Sequence, residues 1–173
     1  GAELVRLLAH HPQADPVLLE HRADSAAAPA PRGHKGPERA GASPAEVVAA
    51  GVEVVFLATP HEVSVELAPA YLEAGVRVVD LSGAFRLRTV DVYKRWYKEP
   101  EMKPEWLAQA VYGLPEFYRD QIRGARFVSN PGCYPTAANL ALRPLVKAGA
   151  IAAGTQIICD AKSGVSGAGR KPA

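Results

Sequence analysis

The sequence predicts an α/β fold built on a mostly parallel sheet. Short apolar runs such as Val52–Leu57 and Val76–Leu81 alternate with helical stretches, and ten or more residues separate them, enough for a crossover helix. Gly75 and Gly149 fall where two of those helical stretches end, as C-terminal stops do. A shorter β-favouring run, Ala125–Val128, ends in turn residues directly before a third helical stretch.

In order, residues 3–10 read as a helix ended before Pro12, and residues 16–20 as a strand. Residues 23–46 are rich in Ala, Pro and Gly and keep no periodic face. They predict a long loop without a strand, with a helix opening at Ser43, where Ser43-Pro44-Ala45-Glu46 has the form of a capping box. Residues 52–57 are almost continuously apolar, as in a central strand covered on both faces. A helix over 62–74 and a strand over 76–81 follow. Residues 89–122 are aromatic and punctuated by proline, and predict short helices over one edge. Then come strand 125–128, helix 136–148 and strand 155–160. In parallel sheets, sites gather at the carboxyl ends of the strands, so residues 21–22, 59–61, 82–86, 130–134 and 162–170 are expected on one rim.

Composition narrows the function classes. The 173 residues are 48% hydrophobic and 22% charged, as in an ordinary soluble globular protein. A net charge of +2, with basic residues scattered and not interleaved with aromatics, argues against nucleic acid. No run reaches the ~20 apolar residues of a membrane span, and no signal-peptide pattern opens the chain. Cys133 and Cys159 are far apart with no zinc spacing, so a reducing cytoplasm is expected and neither a disulfide nor a metal is. The chain opens at Gly1 inside an amphipathic stretch and stops at Gly169-Arg170-Lys171-Pro172-Ala173 in a loop. It reads as a piece of a longer protein.

The candidate chemistry centres on Ser129-Asn130-Pro131-Gly132-Cys133-Tyr134-Pro135-Thr136. This places Cys133 between a strand and the first turn of a helix, where backbone N–H groups and the helix dipole favour thiolate. A nucleophile and a buried structural thiol both remain open for it. Cys159, inside an apolar run, reads as structural. The loop from Lys162 to Lys171 has the glycine spacing of a phosphate loop, but Arg170-Lys171-Pro172 stands where Lys-Ser/Thr belongs, which excludes that reading. Close approach of its backbone to a flat ligand and a plain surface loop stay open. Arg86, after a strand end and a Ser-Gly turn, could hold a phosphate or carboxylate through its guanidinium fork, or be a solvated loop residue. Arg22 suits a ribose 2′-phosphate and Glu20 a free 2′-hydroxyl, with a slight lean to NADP. His61 is equally suited to loop packing and to a role in the site.

The cysteine segment, together with Ala161-Lys162-Ser163-Gly164-Val165-Ser166-Gly167-Ala168-Gly169-Arg170, resembles the N-acetyl-gamma-glutamyl-phosphate reductases. Further matches are Asp80-Leu81-Ser82-Gly83-Ala84-Phe85-Arg86-Leu87, Tyr112-Gly113-Leu114-Pro115-Glu116 and Pro60-His61. The resemblance implies a Rossmann-type, doubly wound NADP-binding domain over residues 1–129 and the start of a second α+β catalytic and dimerisation domain over 130–173. It implies a small acyl-phosphate substrate reduced by NADPH through a cysteine thioester, in arginine biosynthesis, by a homo-oligomer. Residue by residue, it implies Cys133 as nucleophile and Asn130 positioning the thioester oxygen. Arg86 would hold the substrate, Arg22 the 2′-phosphate, and Ser163, Gly164 and Gly167 would lie by the nicotinamide. An acid/base histidine would lie beyond Ala173, and Gly1 would be the last glycine of a loop whose preceding strand is absent. Without that first strand and most of the second domain, the chain alone is expected to be inactive. The lysine-pathway reductase of carrier-bound aminoadipyl phosphate and aspartate-semialdehyde dehydrogenase are alternatives, as is a non-catalytic nucleotide-binding protein on the same sheet.

Overall fold

The structure is a computed structural model that describes residues 1–20, 38–97 and 103–164. The chain divides into two compact units, Gly1–Asn130 and Pro131–Ala173.

The first unit opens with α1 (Ala2–Leu8) and β1 (Val17–Glu20). After residues outside the description comes β2 (Glu38–Gly41), parallel to β1 with Val17 opposite Glu38 and Glu20 opposite Gly41. This strand corrects the expectation of a loop over 23–46. Glu38-Arg39-Ala40-Gly41 contains no β-branched or aromatic residue, so its pairing comes from β1 and not from its own propensity. The helix α2 (Pro44–Ala49) begins as the sequence predicts: the Ser43 side chain accepts from Glu46 N, and the Glu46 carboxylate accepts from Ser43 N. These bonds from Ser43, side chain first and then backbone, hold the Glu46 carboxyl below its ordinary range.

A second sheet follows, formed by β3 (Val54–Leu57), β4 (Arg77–Asp80), β5 (Val111–Tyr112) and β6 (Phe127–Ser129), in the order β3-β4-β6-β5 and parallel throughout. Between its strands run α3 (His61–Glu73), α4 (Val90–Tyr97), α5 (Pro104–Gln109) and α6 (Pro115–Gly124). The alternation of helices with parallel strands is the Rossmann-type arrangement that the sequence predicts. Gly75, at φ +90°, ends α3 in the left-handed conformation that favours glycine.

Two details differ from expectation. The strand β5 lies inside the stretch read as helices only. It is two residues long, too short to show a periodicity. And β3 is an edge strand, not a central one: Val55 and Leu57 are buried while Val54 and Phe56 are exposed.

The core forms on one face of this sheet. Its register sets Val55, Val78 and Phe127 in one row, and Leu57, Asp80 and Ser129 in the next. Against them pack Ala68, Tyr71 and Leu72 of α3, Phe85, Tyr93 of α4 and Leu107 of α5. Phe85 meets Phe127 edge-on, ring centroids 4.7 Å apart, in the orientation aromatic quadrupoles favour. The Tyr71 hydroxyl donates to Ala42 O at 2.6 Å, tying α3 to the segment that links β2 and α2. Burial pushes the Tyr71 phenol above the ordinary 10.0.

The second unit consists of α7 (Cys133–Lys147) and the segment through residue 164. Gly149, at φ +70°, is its stop. The strand expected over 155–160 is absent from the described residues, where this stretch joins no ladder. A strand needs a neighbouring ladder for its backbone groups, and an apolar run alone does not supply one. Cys159, read as a structural thiol inside that strand, is exposed.

Two predictions follow from the packing of the first unit. A Cβ built on Gly113 would stand 2.8 Å from Val128 Cγ1 and 3.2 Å from both Asn130 Cα and Ser129 O, whereas one on Gly124 would meet nothing among the described residues. Gly113→Ala should therefore lower stability to urea by about 1–3 kcal/mol, with Gly124→Ala neutral or slightly stabilising. Equal midpoints for the two variants would contradict this. Because Tyr71 favours its protonated form in the folded state, its contribution is complete below pH 10 and is lost as pH rises through the raised folded value. The urea midpoint should fall above pH 10, and less so in Tyr71→Phe.

Candidate active site

In the first unit the candidate residues gather where β4 and β6 end. Asp80, the last residue of β4, is wholly buried. Its carbonyl accepts from Asn130 N at 2.8 Å, so the backbone pairing of β4 with β6 continues one residue past the end of β6. Its carboxylate takes two bonds from Ser82: the backbone N–H to Oδ1 and the hydroxyl to Oδ2, both at 3.0 Å. The Ser82 hydroxyl accepts in turn from Ala84 N at 3.1 Å. A short aspartate and a serine two residues on thus satisfy the turn that leaves the strand, as such side chains do.

That turn delivers Arg86. Its Nε donates to Asn130 O at 2.9 Å and its Nη2 to Leu81 O at 3.2 Å. The guanidinium spans the two chain segments just beyond β4 and β6, and is half-buried. Of the two sequence readings, a solvated loop arginine is the one the geometry does not support. Two donors are held by carbonyls, which leaves Nη1 and the second Nη2 hydrogen for an anion.

On the same rim, Gly113 N donates to Ser129 O at 2.8 Å, and the close fit at Gly113 brings Tyr112 up beside Ser129. Burial raises the Tyr112 phenol above 10.0, against an opposing pull from the Arg86 charge. Beyond β3, His61 opens α3, with Nε2 hydrogen-bonded to the hydroxyl of the buried Tyr93 and its ring 5.4 Å from that of Tyr97. His61 is thus packed in an aromatic cluster, the first of its two sequence readings. The Thr59 and Ser64 hydroxyls, 2.8 Å apart, tie the preceding loop to the same helix.

In the second unit Cys133 is the first residue of α7 and is exposed. The helix begins three residues earlier than Pro135-Thr136 suggested, because Gly132, not Pro135, takes the N-cap position in extended conformation at φ −71°, ψ 163°. Gly132 O accepts both the N–H of Thr136, at 3.0 Å, and its hydroxyl, at 2.8 Å. Pro135, in the first turn, carries no N–H to leave unsatisfied. Gly132 offers no capping side chain, so the Cys133 and Tyr134 N–H groups face outward at the positive end of the helix.

The Tyr134 hydroxyl is hydrogen-bonded to Ser163 Oγ, which joins the loop after Lys162 to the turn that carries the cysteine. Lys162 pairs with Asp160. Gly164 is exposed, and no contact among the described residues requires glycine there. Arg22 and Gly167, and with them the 2′-phosphate reading and the end of the loop, lie outside the described residues. The described residues contain no group of three His, Cys, Asp or Glu able to hold a metal ion, and no helix long and apolar enough to cross a membrane.

Sequence reasoning passed over Asp80, Ser82 and Tyr134 as separate contributors. The spacing Asp80-Leu81-Ser82 after an apolar run is the signal that could have revealed the first two. Tyr134 carried none, since its partner is 29 residues away.

Comparison with known proteins agrees with this layout. Residues 1–125 match the family model for the semialdehyde dehydrogenase NAD binding domain, and residues 133–173 that for the semialdehyde dehydrogenase dimerisation domain. An N-acetyl-gamma-glutamyl-phosphate reductase from Symbiobacterium thermophilum is 49% identical over 98% of this chain and 49% of its own length. A second protein of that name, from Ectopseudomonas mendocina, is 48% identical over 98% of this chain and 50% of its own. The chain therefore spans about half the length of the curated relatives it matches. With most of its length matched by the first of the two models, the chain belongs to the semialdehyde dehydrogenase family.

Proposed function

We propose that the protein reduces N-acetyl-glutamyl 5-phosphate to N-acetyl-glutamate 5-semialdehyde with release of phosphate, a step of arginine biosynthesis, and that it uses NADPH. The observation that carries this reading is Cys133: exposed, first in α7, and followed by a turn to which Ser163 is bonded. The shared name of the relatives, at 44–49% identity, favours the acetylglutamyl substrate over the carrier-bound and aspartyl alternatives.

In this reading Cys133 Sγ attacks the acyl carbon, the bond from that carbon to the phosphate oxygen breaks, and phosphate leaves. The acyl group stays on Sγ as a thioester. A nicotinamide, when bound, would supply the hydride for the thioester carbon. The oxygen becomes an oxyanion, and its collapse breaks the C–S bond, freeing the semialdehyde and the Cys133 thiolate. The outward N–H groups of the first α7 turn are suited to negative charge as it develops. Asn130 helps place the thioester oxygen, and Arg86 binds an anionic group of the substrate through the hydrogens its carbonyl partners leave over.

A dinucleotide fits the described residues in that the strands of each sheet run parallel, so that the carboxyl ends within each sheet share a rim. Arg22 would meet the 2′-phosphate, with Ser163, Gly164 and Gly167 near the nicotinamide. The match of residues 133–173 to a dimerisation domain supports a homo-oligomer.

The test is the reverse reaction of the protein at its full encoded length: semialdehyde, phosphate and NADP, followed by NADPH absorbance. Cys133→Ser should lower the rate by ~10³-fold or more, and alkylation of the parent should do the same. Near-parental activity in the serine variant would sink the covalent route. Arg22→Ala should raise KM for NADP about 10-fold or more and leave that for NAD unchanged, as loss of a charge-assisted phosphate contact would. An equal change for both cofactors would remove Arg22 from the 2′-phosphate.

A further inference from the structure

We propose that Asp80 and Ser82 are positioning residues for Arg86: the buried carboxylate, acting through the serine, fixes the guanidinium on Asn130 O and Leu81 O and so aims its remaining hydrogens at the anion. The inference rests on the reading of Arg86 as the holder of an anionic substrate group.

Three observations carry it. First, Asp80 is fully buried, and both its carboxylate oxygens are engaged by one residue, Ser82. A buried carboxylate is costly unless its lone pairs are met, so the turn that meets them cannot relax without exposing that cost. Second, the Ser82 hydroxyl donates to Asp80 while accepting from Ala84 N, which fixes the path of the chain two residues before Arg86. Third, Arg86 binds Asn130 O, and Asn130 N binds Asp80 O. Asp80 therefore constrains Arg86 from both sides: along the chain through Ser82 and across the sheet through Asn130.

The fork used on the carbonyls explains why an arginine is needed. Nε and Nη2 grip the protein, while Nη1 and the outer Nη2 hydrogen can still take two oxygens of one anion. A lysine has a single nitrogen and cannot do both in a planar geometry. If the Ser82 turn shifts, the fork loses its carbonyls and the guanidinium gains rotational freedom, which a bound anion must then suppress.

The experiment measures KM for inorganic phosphate and kcat in the reverse reaction, at full encoded length, with KM for NADP alongside. Ser82→Ala, which removes the hydroxyl's bonds to Asp80 and from Ala84 N, should raise KM for phosphate about 5- to 10-fold, with KM for NADP unchanged. Ser82→Thr, which keeps the hydroxyl, should recover most of the affinity. Asp80→Asn, which keeps one acceptor oxygen, should fall between and serves if Ser82→Ala does not fold. The decisive measurement is the double variant. In an Arg86→Lys background, Ser82→Ala should no longer change KM for phosphate, because its effect passes through the arginine. Additive effects would overturn the positioning role, as would a KM for phosphate that does not move in Ser82→Ala or Asp80→Asn while Arg86→Lys raises it. If Arg86→Lys itself leaves KM for phosphate unchanged, Arg86 does not hold the phosphate, and the positioning inference, which is argued for that anion, fails with it.

Discussion

A carboxylate buried at the end of a parallel strand governs the candidate site of the first unit. Asp80 cannot be solvated, and hydrogen bonds must replace the water it has lost. Ser82 supplies two of them, and in doing so bends the chain out of β4 into a defined turn. The main chain of the same residue takes the N–H of Asn130. One residue thus sets the exit path of β4 and the exit path of β6, and the loops that follow inherit their direction from it. The aromatic core beneath, with Phe85 against Phe127, reinforces the arrangement, since Phe85 lies in the loop that Ser82 opens.

Much of this was legible in the sequence, and what was missed has physical causes. The runs 52–57, 76–81 and 125–128 gave β3, β4 and β6 because their β-branched and aromatic residues suit a pleated surface. The capping box at Ser43 and the glycine stops at Gly75 and Gly149 were readable because the interactions involved are local. The strand β2 was not, since Glu38-Arg39-Ala40-Gly41 becomes a strand only through its pairing with β1. The same reasoning runs in reverse for residues 155–160, where Ile157-Ile158 suggested a strand that no described neighbour completes, leaving Ile158 88% exposed.

The site divides along the same line. Cys133 at a helix start was written into Gly132-Cys133-Tyr134-Pro135, although the cap fell on Gly132 and the helix began sooner. Arg86 was singled out by its place after a strand, but its partners were not visible: Asn130 is 44 residues away, and carbonyl oxygens leave no trace in a sequence. The link between Tyr134 and Ser163 is likewise long-range, and joins two segments that the strand-end rule and family likeness had both associated.

The position of β3 has a consequence for how this polypeptide behaves in a test tube. Its outer backbone edge is unpaired among the described residues, and Val54 and Phe56 beside it are 36% and 37% exposed. An edge with apolar flanks and no lysine or proline within the strand is a template on which another chain can add. Lysine placed at Val54 or Phe56 is the substitution through which a colloidal property of this surface could be adjusted without touching the rim where the chemistry is proposed.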